Sequence, residues 1–328
     1  MRSQLRIYLI GMLLLNAPAA IAGSRPSEVA SESTSISALA PPQVRGYLQV
    51  RETLSSRVGA AATLNRARVG VEGPLPASFS YKLQLEAQSH VAGSSTAAVS
   101  MRDAWIQWTR STLALTAGQM DTPFSREWVM KIPDLETPDR SIVTETLAPR
   151  GDIGVMALWS PDSSFSLAAG AFNGEGQNAT ANRDSTTLFI ARAAVQPRAG
   201  CFLGTSLAMS GTDSTRYAVE AGVQYGRFST RGEFLAQRHR GVDSRDEGWY
   251  ALLLVRTLPW LRLVGRQEEL HRPLVPPERA RERGTTIGLL ADHPGGHVRG
   301  MLDYVRRTVG FGSQPAGALI AQLQARFF

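Results

Sequence analysis

MRDAWIQWTRSTLALTAGQM occupies residues 101–120, and the reading of this stretch decides the fold. Asp103, Trp105, Gln107 and Thr109 fall on one side of a two-residue alternation, and Ala104, Ile106 and Trp108 on the other. That is the period of a half-buried strand. A second short run covers 112–120. Then comes DTPFSREWVMKIPDLETPDRSIVTETLAPR, residues 121–150, with no period and with Pro123, Pro133, Pro138 and Pro149. The apolar run 152–159 closes the stretch. A connection of about thirty residues without its own period is uncommon in a compact domain and marks function or disorder. Set between neighbouring strands of a barrel, it predicts a loop that folds inward and narrows the lumen.

The same alternation continues in both directions. Phe79, Tyr81, Leu83, Leu85 and Ala87 alternate with Ser80, Lys82, Gln84, Glu86 and Gln88. Comparable runs lie at 44–54, 66–73, 165–172, 186–195, 202–210, 217–225, 227–237, 249–257, 261–270, 284–292, 298–308 and 317–328. With those of the opening stretch this predicts about sixteen strands. Short turns (74–76, 160–164, 197–201, Gly226, 258–259, 293–296) alternate with longer loops (89–99, 121–150, 173–185, 239–248, 271–283, 309–316). A meander whose two rims face different compartments has this rhythm. The expected fold is all-β, a transmembrane antiparallel barrel of about sixteen strands over 43–328, with a soluble all-β sandwich as the alternative.

The N-terminus fits export. Arg2 and Arg6 precede the apolar run 7–15, and Ala20-Ile21-Ala22 offers a small-x-small cleavage site. Residues 1–22 are read as a secretory signal peptide cut after Ala22, and 23–42, rich in Ser, Ala and Pro, as a disordered leader. The single Cys201 excludes an intrachain disulfide and a cysteine metal cluster. The formal charge is +7 and almost wholly arginine, since Lys82 and Lys131 are the only lysines. The arginines are spread evenly and no stacking motif accompanies them, so nucleic acid is not the expected partner; anions, or an anionic surface, are.

Period alone does not say which face of a barrel points inward. Closure of about sixteen strands leaves a lumen too wide for side chains to fill, so the arginine-bearing polar face belongs inside against water. Trp159, Tyr225, Trp249, Tyr250 and Trp260, near strand ends, suit interfacial girdles.

Several segments of the first half carry a family resemblance. They are Arg68-Val69-Gly70-Val71-Glu72-Gly73, Arg102-Asp103-Ala104-Trp105-Ile106, and Gly118-Gln119-Met120-Asp121-Thr122-Pro123-Phe124. Glu145-Thr146-Leu147, Arg150-Gly151-Asp152-Ile153-Gly154-Val155 and Ala171-Phe172-Asn173-Gly174 follow. Together they resemble the phosphate-selective porin O and P family of bacterial outer membranes; the second half resembles it in strand rhythm and in its terminal phenylalanine. The resemblance implies a sixteen-stranded, usually trimeric barrel made by the barrel-assembly machinery, whose third long loop enters the pore. It also implies lumenal lysines and arginines that bind phosphate. Two lysines cannot line a funnel, so here arginines take that place. Arginine pairs with carboxylates as readily as with phosphate, and Glu72, Glu86, Glu233, Glu268 and Glu269 are available to neutralise it.

Pore chemistry is electrostatic, a matter of charge at a constriction. The candidates for the constriction are Arg126, Lys131, Arg140 and Arg150, each with the alternative of tying the loop to the wall through Glu127, Asp134 or Glu145. The candidates for the lumen wall are Arg66, Arg68, Lys82, Arg102, Arg192, Arg231, Arg262 and Arg266, with the alternative of plain solvated charge. No nucleophile elbow, phosphate-cradling loop or His-Glu-x-x-His run is present, and no enzyme, cofactor or metal is expected. The expected function is passive diffusion of small hydrophilic solutes with anion preference, phosphate included, across the outer membrane. The alternative is a plugged structural or adhesive barrel without channel activity. In the last run the apolar set Leu319, Ala321, Leu323, Ala325 and Phe327 is one residue out of phase with the terminal Phe328, which predicts a bulge near the end.

Overall fold

A computed structural model of the chain describes residues 40–55, 59–88, 98–179, 181–211, 214–241, 244–273, 281–310 and 316–327. The assigned signal peptide, nearly all of the leader, His90 and Phe328 lie outside these residues.

Sixteen strands form one closed antiparallel barrel in which every strand pairs with its neighbours in sequence and β1 pairs with β16. They are β1 (Gln43–Ser55), β2 (Gly59–Leu75), β3 (Phe79–Gln88), β4 (Ala98–Arg110), β5 (Leu113–Met120), β6 (Asp152–Asp162), β7 (Phe165–Phe172) and β8 (Leu188–Arg198). The second half has β9 (Cys201–Ser210), β10 (Ser214–Tyr225), β11 (Phe228–His239), β12 (Arg245–Leu258), β13 (Leu261–His271), β14 (Arg281–Asp292), β15 (Val298–Val309) and β16 (Ala316–Phe327). Closure leaves no free edge, so every strand's backbone groups are paired within the sheet. No described helix is long and apolar enough to cross a membrane.

Alternation places the apolar set outside. Leu83, Ile106, Val155, Phe189, Val219, Leu253, Ile287 and Leu323 are exposed on the outer face, while Gln49, Glu86, Asp103, Glu233, Asp303 and Gln324 are buried inside. Trp159, Tyr225, Trp249 and Trp260 stand on the outer face as girdle residues. Tyr250 does not. It is 1% exposed, lies one residue out of phase with Trp249, and donates its hydroxyl to Glu233 at 2.7 Å inside the barrel. Among the described residues no bulge interrupts the last strand, since β16 runs in unbroken register against β1 from Ala318 to Phe327. Bulges occur instead on β2, where Asn65 is the extra residue opposite Gln49/Val50, and on β4, where Arg102 is the extra residue opposite Gln84/Leu85.

One glycine on β5 is required by its conformation. Gly118 has φ of 129°, and a Cβ there would lie 2.2 Å from the Ala104 carbonyl oxygen on β4. Gly118→Ala is therefore expected to destabilise the barrel by about 1–3 kcal/mol. The drop would be read as a lower temperature for loss of the compact, heat-modifiable form on denaturing gels.

Candidate functional site

The connection between β5 and β6 is the third on the long-loop rim, and it folds into the barrel. It contains α1 (Arg126–Val129), a 3₁₀ turn at Ile132–Asp134, and α2 (Ile142–Leu147). Both helices are capped by serine. The Ser125 hydroxyl accepts from the Trp128 amide, and the Ser141 hydroxyl accepts from the Thr144 amide. Helices this short are marginal alone. What holds them is the wall.

One side of the loop is bound by apolar packing. Phe124, Trp128, Ile142, Val143 and Leu147 form a single buried cluster with Phe172, Leu188, Ile190, Ala208, Ala218, Leu235 and Leu270, which project inward from β7–β11 and β13. A close approach makes this possible at β12. Gly248 has no side chain where α2 passes, and a Cβ there would sit 2.9 Å from a Val143 methyl. Burial of this apolar surface is the non-directional part of the attachment.

The other part is a network of buried charges. Glu233 on β11 accepts from the Ser125 hydroxyl at 2.5 Å and from the Glu127 amide at 2.6 Å. Glu268 on β13 accepts from the Ile142 amide at 2.8 Å, at the start of α2. Arg231 binds Glu136 with both terminal nitrogens, at 2.6 and 2.5 Å. Burial alone would raise the Glu136 carboxyl, but Arg231 holds it below the usual carboxylate range. Asp139 is in the same position, with Arg51 on β1 holding it down against burial. Arg266 donates to the Thr137 hydroxyl and the Asp139 carbonyl, each at 2.8 Å. Arg299 reaches the Pro133 and Leu135 carbonyls at 2.9 and 3.0 Å, and Arg326 pairs with Asp134 at 2.7 Å. The loop is thus fastened across most of the barrel's circumference.

The opening left beside it lies along β1–β4. A cavity of about 190 Å³ separates Met130–Asp134 of the loop from this wall. Arg45, Arg68, Lys82, Arg102, Lys131, Arg140 and Arg326 border it, against Glu72, Asp103, Asp121 and Asp134. Seven cationic groups face four acidic ones, an excess of three.

The four residues proposed for the constriction have separate fates. Lys131 borders the opening, with no ion pair among the described residues; enclosure by protein, followed by repulsion from Lys82, lowers its ammonium below the ordinary lysine value. Arg126 stacks on the Phe202 ring at 3.7 Å and has no carboxylate partner among the described residues. Burial, then the neighbouring Arg231, lowers its guanidinium. Arg150 is exposed at the base of the loop. Arg140 touches the opening but braces the loop. It donates to the carbonyls of Glu127, Trp128 and Met130 at 2.9, 2.8 and 3.2 Å, and is 5% exposed. That corrects its reading as a solute-facing charge: the three carbonyls take Nε and Nη2, and Glu145 lies 3.6 Å from Nη1.

The wall candidates project inward, but most are paired. Arg68 binds Glu86, Arg192 binds Glu220, and Arg262 binds Asp292. Lys82 meets Asp103 at 2.5 Å, and Arg102 meets Gln177 at 2.5 Å and Asp121 at 3.3 Å. Arg231 and Arg266 hold the loop, leaving Arg66 without an ion pair among the described residues. Of the acids expected to neutralise the inner face, Glu269 is on the outer one, bound by Arg281 and Arg283. Arg51, Arg299 and Arg326 were not singled out in the sequence. Their signal was the lumen phase of β1, β15 and β16, shared with Gln49, Met301 and Gln324.

A sixteen-stranded barrel, apolar outside and charged within, with its third long loop folded inward, defines an outer-membrane porin. Residues 52–204 match the family model described as Phosphate-selective porin O and P, a family of non-enzymatic channels. The fold is shared with a loop-deletion mutant of OmpT, an outer membrane protein of Vibrio cholerae, at TM-score 0.65, 10% identity, and coverage of 88% of this chain and 99% of that one. An anion-selective porin from Comamonas acidovorans matches at TM-score 0.65 and 11% identity, covering 88% and 99%. In vitro folded OmpT of Vibrio cholerae, described as a trimer form, matches at 0.63 and 10%, covering 88% and 99%. No curated protein matches the chain.

Proposed function

We propose that this porin is a passive pore for small hydrophilic solutes that prefers anions, phosphate among them, and that its path is the opening between the inward loop and β1–β4. The single observation that carries the reading is the charge bordering that opening, seven cationic groups against four acidic ones. A narrow, low-dielectric passage with excess positive charge concentrates anions and repels cations. Most of the arginines are held by carboxylates, so the preference is expected to be mild, and phosphate is one solute that the guanidinium forks suit rather than one that they demand. One solved relative is an anion-selective porin, which supports the same reading.

Residues 1–22 serve in this proposal as the export signal, and the mature barrel assembles as a trimer. The trimer form of OmpT supports the assembly. So does the outer face of β3–β9, where Leu85, Val99, Met101, Val155, Phe189 and Met209 carry exposed apolar surface to the long-loop rim.

The test is purified protein in a planar lipid bilayer under a potassium chloride gradient. Stepwise conductance with a reversal potential of anion-selective sign is expected, and phosphate is expected to reduce the chloride current. A barrel that inserts and passes no current would replace the pore with a plugged structural barrel.

A further inference from the structure

We propose that the outer face of β12–β15, at the long-loop rim, binds the phosphate groups of lipids in the outer leaflet. Long connections mark the outer rim of such a barrel. Directly paired residues of an antiparallel sheet share a face, and the register lays out the outer face row by row. Leu253, Gly265, Ile287, Tyr304 and Leu319 form one apolar row. The next row toward the long-loop rim is Ala251, Gln267, Thr285 and Arg306, and the one after it is Trp249, Glu269, Arg283 and Thr308. Glu247, His271 and Arg281 follow. Within about 7 Å along the strands, the spacing of one row to the next, the surface changes from lipid-facing apolar side chains to arginine. That is the level at which acyl chains give way to headgroups.

The patch is shaped for anions. Arg281 and Arg283 both grip Glu269, with Arg283 at 3.2 Å, so one carboxylate sets two guanidinium groups side by side and offsets only one of their charges. Their side chains are 43% and 55% exposed. Arg306 is exposed in the neighbouring row and has no ion pair among the described residues. Arg245, held by Glu247 at 2.7 Å, flanks them. These arginines lie outside the lumen, on the same face as Ile287 and Tyr304, and so do not meet a solute in the pore. Planar forks of donors on long stems suit phosphate oxygens at a headgroup. On β3–β9 the outer face stays apolar to the same rim, so the positive fringe belongs to one side of the barrel. Charge complementarity therefore assigns β12–β15 to phosphorylated lipid and leaves the apolar side for barrel–barrel contact.

The experiment is spin-label resonance on the full-length protein reconstituted in phosphatidylcholine bilayers, comparing the protein-restricted fraction of spin-labelled phosphatidic acid with that of spin-labelled phosphatidylcholine. A basic residue near a membrane surface changes association by about fivefold. The wild-type protein is expected to prefer phosphatidic acid by about that factor or more, and the preference is expected to approach parity in R281Q/R283Q/R306Q. Single-channel conductance should not move. Arg306→Gln alone, which breaks no ion pair of the described residues, should lower the preference partway, and it serves if the triple variant does not fold. A control variant, R110Q/R198Q/R227Q, removes the same charge at the short-turn rim and should keep the preference. An equal loss in the control would reduce the effect to net charge and overturn the site. Abolition of the preference by excess inorganic phosphate would assign the patch to free anions and overturn the lipid assignment.

Discussion

Arg231→Ala is expected to release the inward loop and raise single-channel conductance, with a noisier open state, while leaving the barrel folded. The reason lies in what the substitution leaves behind. Arg231 meets Glu136 with two hydrogen bonds at 2.6 and 2.5 Å, and both side chains are buried, at 8% and 9% exposure. Removing one member of a buried pair strands the other charge in a buried site and costs about 3–5 kcal/mol. The pairing runs between the loop and β11, so the cost falls on docking. Barrel closure depends on the β1–β16 ladder and on every sequential pairing, none of which includes Glu136. The double variant R231Q/E136Q removes both charges together and is expected to recover most of the quiet wild-type conductance, since replacing both members of a buried pair is far milder than removing one. Planar-bilayer recordings of the single and double variants decide the matter. Wild-type conductance in Arg231→Ala would mean that the apolar packing of Phe124, Trp128 and Val143 and the remaining polar contacts hold the loop without this pair.

The strands were legible because their cause is local. Alternation in Phe79–Gln88 or Leu261–His271 arises from a sheet with lipid on one side and water on the other, and that contrast is written into successive residues. The docking of the loop was not legible in the same way. Leu188 and Ile190 face inward while Phe189 faces lipid, so β8 is apolar on both faces at one end, and alternation fails where the loop packs. The expectation that the inner wall is polar and faces water had no place for that patch. The candidate charges were found because arginine in lumen phase is also a local pattern. Which carboxylate each one meets depends on register across the barrel. Arg231 and Glu136 are 95 residues apart, and Arg326 and Asp134 are 192 apart. Arg140 illustrates the limit: in sequence it is one more loop cation, and only the fold of the loop turns three carbonyls toward it. The parity of a single position carries the same information at Tyr250, which looked like a girdle residue until its register placed it beside Glu233.

Lys131→Glu combined with Arg45→Glu is expected to change the sign of ion selectivity. The opening along β1–β4 has an excess of three positive charges. Each substitution replaces a cation by an anion and shifts the balance by two, so the single variant retains an excess of one and the double variant has a deficit of one. Both positions tolerate the change. Lys131 is exposed and unpaired among the described residues, and the Arg45 side chain is 52% exposed, so neither leaves a buried charge alone. The reversal potential under a potassium chloride gradient should fall toward zero in Lys131→Glu and cross it in the double variant. The effect should be largest in dilute salt, because the screening length is about 10 Å at about 0.1 M and lengthens as salt falls. An unchanged reversal potential in a conducting double variant would move the path elsewhere. Arg126 on Phe202, which has no carboxylate partner among the described residues, would then be the charge that ions meet, and Arg126→Glu would become the substitution that reverses selectivity.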